Sequence, residues 1–236
     1  MEPEIVDLAN FLNRMGAKVW GAGTNTVKIK GVEDLKEVSY SIMPDRIEAG
    51  TLLIATAMTR GNIKLNKVEP EHISPLLHKL AECGCRVVED RKSIYLCADK
   101  NLVATEIKTM PYPGFPTDLQ PLFSTFLTTC KGTSIVTENI FENRYKYMQE
   151  VKRMGAKCTV EGKTLIIKGV KRLYGANVES TDLRGGAALM LAGISAKGIT
   201  KLTKVEYILR GYENLDVKLN KLGARITREE KGEENG

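Results

Sequence analysis

Three aspartates, Asp45, Asp118 and Asp182, recur 73 and 64 residues apart, and arginines accompany them. Arg46 follows Asp45, Arg184 lies two residues past Asp182, and Arg144 and Arg210 hold matching places later in their own stretches of chain. A carboxylate can take a proton from a hydroxyl, and guanidinium forks hold phosphate or carboxylate groups bidentately. The combination points to proton transfer beside a bound anion. Each residue type also has a plainer use: aspartate is a favoured helix N-cap, and arginine is commonly a solvated surface charge. Recurrence at matching positions favours a shared phosphate or carboxylate site.

Other chemistries find little support. His72 and His78 fall on different faces of a helix, and Cys83-Gly84-Cys85 is too tight for a typical zinc knuckle, so no metal site is expected. Cys83, Cys85, Cys97, Cys130 and Cys158 mostly occupy apolar positions of elements and read as buried, reduced thiols of a cytoplasmic protein. Gly21-Ala22-Gly23 sits within a hairpin, so it is a turn and not a phosphate loop. The net charge of +6 is spread along the chain and only 6% of residues are aromatic, which argues against a nucleic-acid partner. The longest nearly apolar run, Ala187 to Ala196, is too short to span a bilayer, so no membrane partner is expected.

The elements that must place these residues announce themselves by repetition. Apolar residues spaced i, i+4, i+7 run into a glycine four times: Leu8/Leu12/Met15 into Gly16, Leu76/Leu80/Cys83 into Gly84, Tyr147/Val151/Met154 into Gly155, and Leu215/Leu219/Leu222 into Gly223. Each reads as a helix ended by a left-handed glycine cap, and the glycines are 68, 71 and 68 residues apart.

Between the glycines the pattern gives α/β units of roughly 70 residues. In the first, a helix over Arg46–Thr59 precedes a strand Asn62–Val68, a helix from Pro70 to Gly84, and a hairpin of Cys85–Glu89 with Ser93–Cys97. In the second, Ala104–Lys108 is a strand, Asp118–Thr129 a helix, Thr133–Glu138 a strand, Arg144–Met154 a helix, and Ala156–Val160 with Thr164–Lys168 a hairpin. In the third, strand Ala176–Glu179 is followed by helix Asp182–Ala196, strand Ile199–Val205, helix Tyr212–Leu222 and strand Ala224–Arg228. Ahead of them stands half a unit: a helix Ile5–Met15, a hairpin, and a strand Ser39–Ile42. The expectation is a fragment of something longer, closed by a disordered acidic tail over 229–236.

Several separated motifs then carry a resemblance. Glu4-Ile5-Val6-Asp7, Pro44-Asp45-Arg46-Ile47-Glu48, Phe115-Pro116-Thr117-Asp118, Ile140-Phe141-Glu142-Asn143-Arg144, Thr181-Asp182-Leu183-Arg184 and Arg210-Gly211-Tyr212-Glu213 occur in this order. In order and spacing the chain resembles the C-terminal part of the UDP-N-acetylglucosamine 1-carboxyvinyltransferases, within the enolpyruvyl transferase family, over all but the tail. The resemblance implies repeated βαβαββ units in a pseudo-threefold inside-out α/β barrel. It places residues 1–43 at the end of a first domain and 44–228 in a second, with Pro44, Asp45 and Arg46 at the hinge.

It further implies UDP-N-acetylglucosamine and phosphoenolpyruvate as substrates and no cofactor. Asp118 would take the proton from the sugar 3-hydroxyl, Ile140 would contact the amino sugar, and Arg144, Arg184 and Arg210, with Asp182 beside them, would surround the phosphoenolpyruvate anion. The family's lysine–asparagine pair and its cysteine-bearing mobile loop have no counterpart here. The resemblance therefore implies a chain inactive by itself, with a missing N-terminal half as its possible partner. The shikimate-pathway enolpyruvyl transferase and a non-catalytic complementing fragment are the alternatives.

Overall fold

All four glycines after the periodic helices take the left-handed conformation, with φ between 98° and 103°. In every case the residue after the glycine donates its N–H to a carbonyl five residues back: Ala17 to Leu12, Cys85 to Leu80, Ala156 to Val151 and Ala224 to Leu219. This closure satisfies carbonyls that the last helical turn leaves free and turns the chain sharply into its next segment. A computed structural model describes residues 1–98 and 101–229. Of the expected tail, 230–236 lie outside the described residues.

Helix α1 (Pro3–Arg14) leads to an antiparallel pair, β1 (Lys18–Trp20) and β2 (Lys28–Lys30). Helix α2 (Arg46–Met58) follows, then β3 (Asn62–Asn66), α3 (Ser74–Glu82), β4 (Arg86–Asp90) and β5 (Ser93–Cys97), the three strands lying in the order β3-β5-β4. The next unit contains β6 (Glu106–Lys108), α4 (Gln120–Leu127), β7 (Thr133–Thr137), α5 (Tyr147–Arg153), β8 (Lys157–Glu161) and β9 (Thr164–Lys168), in the order β6-β7-β9-β8. The last has β10 (Asn177–Glu179), α6 (Leu183–Ser195), β11 (Lys201–Thr203), the short α7 (Glu206–Leu209) and α8 (Leu215–Lys221). β6 runs parallel to β7 across α4, and β10 parallel to β11 across α6.

The first helix of each unit is buried nearly all round, as its composition requires. α4 exposes no residue, and α2 and α6 bury most of theirs. These three pack on one another at the centre, while the sheets lie outside and cover them with alternate residues such as Ile94, Leu96, Leu165 and Ile167. Close approach depends on glycine. A Cβ at Gly50 of α2 would meet Leu119 Cδ1 at 2.7 Å, and one at Gly186 of α6 would meet Ser180 Oγ at 2.7 Å.

Several element bounds differ from the sequence expectation. The helix expected from Pro70 splits into a 3-10 turn, Pro70–Ile73, and α3, because Pro75 has no N–H to continue the ladder. α5 and α8 start three residues late, at Tyr147 and Leu215, after left-handed residues at Asn143 and Asn214. Ser39–Ile42 forms no strand; Tyr40 instead donates its hydroxyl to Asp7 Oδ1 at 2.8 Å. Ala224–Arg228 is not a strand either. Ile226 exchanges two 2.8 Å hydrogen bonds with the Asn220 amide, and Arg228 forks onto Asp216, so side chains replace a ladder there.

Candidate active site

Each inner helix should begin with an aspartate cap, and two do. Asp45 Oδ1 accepts from the amides of Ile47 and Glu48 at 2.7 and 3.0 Å, and Asp182 Oδ1 accepts from those of Arg184 and Gly185 at 3.0 Å each. Asp118 does not cap. The third residue after it is Pro121, which has no N–H to offer, and the Gln120 amide bonds to the Thr117 carbonyl instead. The helix then starts one residue later behind Leu119, and the Asp118 carboxylate is left for other partners.

Those partners are two arginines from different elements. Arg144 Nη2 lies 3.3 Å from Asp118 Oδ1, and Arg184 Nη2 lies 3.0 Å from Oδ2. Both arginine side chains are mostly buried (9% and 14% exposed), while Asp118 is 43% exposed and faces solvent. The Phe141 ring supports the Arg144 guanidinium at 4.7 Å, and Asp182 Oδ1 stands 4.0 Å from Arg144 Nη1. Arg184 lies over the Tyr212 ring at 5.3 Å. The buried Tyr212 hydroxyl is held in turn by Thr51 Oγ1 of α2 at 2.9 Å.

Burial opposes the charge on Arg184, but Tyr212 and Asp118 outweigh it and hold its pKa above the ordinary arginine value. Burial pushes the Tyr212 phenol up as well, although the neighbouring Arg184 charge works the other way. The buried Nε atoms of Arg144 and Arg184 have no hydrogen-bond partner among the described residues.

Asp118 and Arg184 open onto a cavity of about 820 Å³. Ile140 and Thr117 also line it, as do Pro44, Asp45 and Arg46 at the start of α2. Arg46 is clamped by Glu4 of α1 through bonds of 2.7 and 3.1 Å, and stacks 5.6 Å from the Tyr112 ring centroid. Arg210 is apart from this group. It is exposed at the end of α7, outside the cavity lining, and joins none of the ion pairs around Asp118.

Three residues beside the expected ones complete the surroundings: Phe141 against Arg144, Tyr212 against Arg184, and Glu138, whose Oε2 accepts from Thr117 Oγ1 at 3.0 Å. Phe141 and Tyr212 stood inside the quoted motifs, and an aromatic ring near an arginine was an available signal. Glu138, which the pattern places at a strand end, lies just past the strand Thr133–Thr137. Among the described residues no group of three or more His, Cys, Asp or Glu is placed to hold a metal ion, and no helix is long and apolar enough to cross a membrane.

The sequence profile of EPSP synthase (3-phosphoshikimate 1-carboxyvinyltransferase) matches residues 1–219, nearly the whole chain. The chain belongs to the enolpyruvyl transferase family. Among curated enolpyruvyl transferases it is 49% identical over 227 residues to UDP-N-acetylglucosamine 1-carboxyvinyltransferase 1 of Caldanaerobacter subterraneus subsp. tengcongensis, covering 96% of this chain and 55% of that protein. It is 50% identical to UDP-N-acetylglucosamine 1-carboxyvinyltransferase of Clostridium botulinum, with 96% and 54% covered. The protein of that name from Desulfofundulus thermocisternus is 53% identical over 223 residues, which are 94% of this chain and 92% of that one. The chain thus spans about half the length of the first two relatives and nearly all of the third.

Among solved enolpyruvyl transferases, NikO from Streptomyces tendae superposes with a TM-score of 0.83 at 26% identity, covering 95% of this chain and 54% of that one. EPSP synthase from Acinetobacter baumannii gives 0.71 at 18% identity, over 92% and 54%, a likeness of fold alone. The architecture is the inside-out α/β barrel of the enolpyruvyl transferases, with helices at the centre and sheets outside.

Proposed function

We propose that this chain carries one side of the site that transfers the enolpyruvyl group of phosphoenolpyruvate to the 3-hydroxyl of UDP-N-acetylglucosamine, releasing phosphate. The observation that carries the reading is the Asp118 carboxylate held between Arg144 and Arg184. Asp118 takes the hydroxyl proton as the sugar oxygen bonds to C2 of phosphoenolpyruvate, while C3 takes up a proton from an acid that the other side of the site must supply. The two guanidiniums stabilise the negative charge around the tetrahedral ketal, and phosphate leaves as a C3 proton is lost and the double bond re-forms. Position supplies much of the rate, because the base must lie within hydrogen-bond reach of the hydroxyl.

Ile140, exposed on the cavity wall, contacts the amino sugar in this reading, and Asp182 steadies the arginine pair. Arg210 reaches the anion only if α7 shifts or its long side chain swings in. Residues 1–43 then belong to one domain and 44–228 to another, with Pro44, Asp45 and Arg46 between them. Relatives near 50% identity named for the amino-sugar reaction support this reading over the shikimate-pathway one.

Saturation-transfer NMR with UDP-N-acetylglucosamine and with shikimate 3-phosphate separates the two readings: contact with the first alone is expected, and contact with the second alone overturns the proposal. Phosphate release is expected to be negligible from the chain alone and to appear on co-expression with the N-terminal half of a full-length relative. Vigorous release by the chain alone, abolished by Asp118→Ala, overturns the claim that it carries only one side of the site.

A further inference from the structure

Glu138 is among the least exposed charged residues of the chain, at 2%, and lies just past the end of β7. Its carboxylate ties three segments together. Oε1 accepts from Thr109 Oγ1 at 2.7 Å and from the backbone amides of Ile140 and Phe141 at 2.9 and 3.0 Å. Oε2 accepts from Thr117 Oγ1 at 3.0 Å. Thr109 Oγ1 also accepts from the Asn139 amide at 2.9 Å, which closes the network against the end of β6.

The two arms of this carboxylate lead to the two halves of the ion pair. Thr117 immediately precedes Asp118, and the Ile140–Phe141 turn carries the ring that supports the Arg144 guanidinium. We infer that Glu138 is a positioning residue, whose buried carboxylate fixes where Asp118 stands relative to Arg144. A carboxylate suits the task because one oxygen can accept from several donors, and charge-assisted bonds are shorter and stiffer than neutral ones. Its consequence for turnover rests on the transferase reading; the geometry does not.

The test follows the arginine Nε–H signals of the full chain labelled with 15N, assigned by their loss in Arg144→Lys and Arg184→Lys, together with thermal unfolding. Thr117→Val cuts only the arm to Asp118. It is expected to shift both signals and to speed their exchange with solvent about tenfold, the factor one charge-assisted hydrogen bond carries. Glu138→Gln keeps an oxygen for the two amides and a possible bond to Thr117, so it should disturb the signals less than Glu138→Ala. Thr128→Val, which removes a buried hydroxyl bond at the other end of α4, is expected to lower the melting temperature with the arginine signals in place.

If Thr117→Val leaves both signals and exchange rates at their wild-type values, Glu138 anchors a loop and nothing more, whatever happens to the melting temperature. Should the Glu138 variants fail to fold, Thr117→Val decides the matter alone. None of these readouts needs turnover, so an absence of transferase activity after co-expression with the N-terminal half would sink the function proposed above and leave this inference standing.

Discussion

Asp118 and Arg184 meet at 3.0 Å across 66 residues of chain, and Arg144 takes the other oxygen of the same carboxylate from 26 residues away. One half-exposed acid thus joins two nearly buried cations from separate units. Local sequence cannot make that contact; it requires α4 and α6 to lie side by side with their N-termini together.

Replacing Asp118 should therefore affect chemistry and stability differently. Asp118→Asn keeps the shape and removes the base, so turnover in a reconstituted enzyme falls by about 10²–10⁴, while affinity for UDP-N-acetylglucosamine changes little. Kinetics beside calorimetric titration check this, and equal losses in both would assign Asp118 to binding. Asp118→Ala lowers stability by about 1–2 kcal/mol, less than for a fully buried pair because the acid is half-exposed.

Gly50→Ala tests the packing of the central helices. Alanine is intrinsically favoured over glycine in a helix, yet its methyl would lie 2.7 and 2.8 Å from the Leu119 methyls and 3.0 Å from Leu76. Overpacking costs about 1–3 kcal/mol, so the urea midpoint should fall. A rise would mean that α2 and α4 have slack between them.

Acid should loosen α1. Burial raises the Glu4 carboxyl, but the Arg46 hydrogen bond and charge prevail and leave its pKa below the ordinary 4.5. A carboxyl depressed in the folded state adds stability above its unfolded pKa, and that stability is lost as pH falls through the folded value. Protection of α1, corrected for the intrinsic pH dependence of amide exchange, should accordingly fall as pH drops below 4.5, and Arg46→Ala should abolish that acid-linked step. Protection of α1 that ignores acid in the wild-type chain would show that the clamp carries no stability.

Native thiol chemistry should be slow. A hydrogen bond with Cys130, and then burial, push the Cys83 thiol far up, and burial raises that of Cys85 to about 12. The thiolate is the reactive form, so iodoacetamide at about pH 8 should label neither until denaturant is added. Peptide mass spectrometry before and after unfolding reports this directly, and rapid native labelling at Cys83 would contradict its burial.

Much of the fold was legible because its signals are local. A glycine after a periodic helix needs only its own turn, and all four caps formed as expected. The convergence of Asp118, Arg144 and Arg184 was legible through recurrence and resemblance. Strands were harder, since a ladder needs a partner that the segment itself does not specify. Ser39–Ile42 and Ala224–Arg228 have extended-looking sequences and found side chains instead. Arg210 shares its motif with Tyr212, yet only the tyrosine points inward. Glu138 was missed because a glutamate at a strand end resembles a surface residue until four donors close over it.

Pro121 has a wider meaning. Duplicated modules begin life with identical duties, and a residue needed for folding in every copy is not available for anything new. In two copies the leading aspartate still holds its own helix. In the copy led by Asp118, a single absent amide hydrogen relieves the aspartate of that work without disturbing the architecture. Division of labour among repeats can start from so small a vacancy in the backbone.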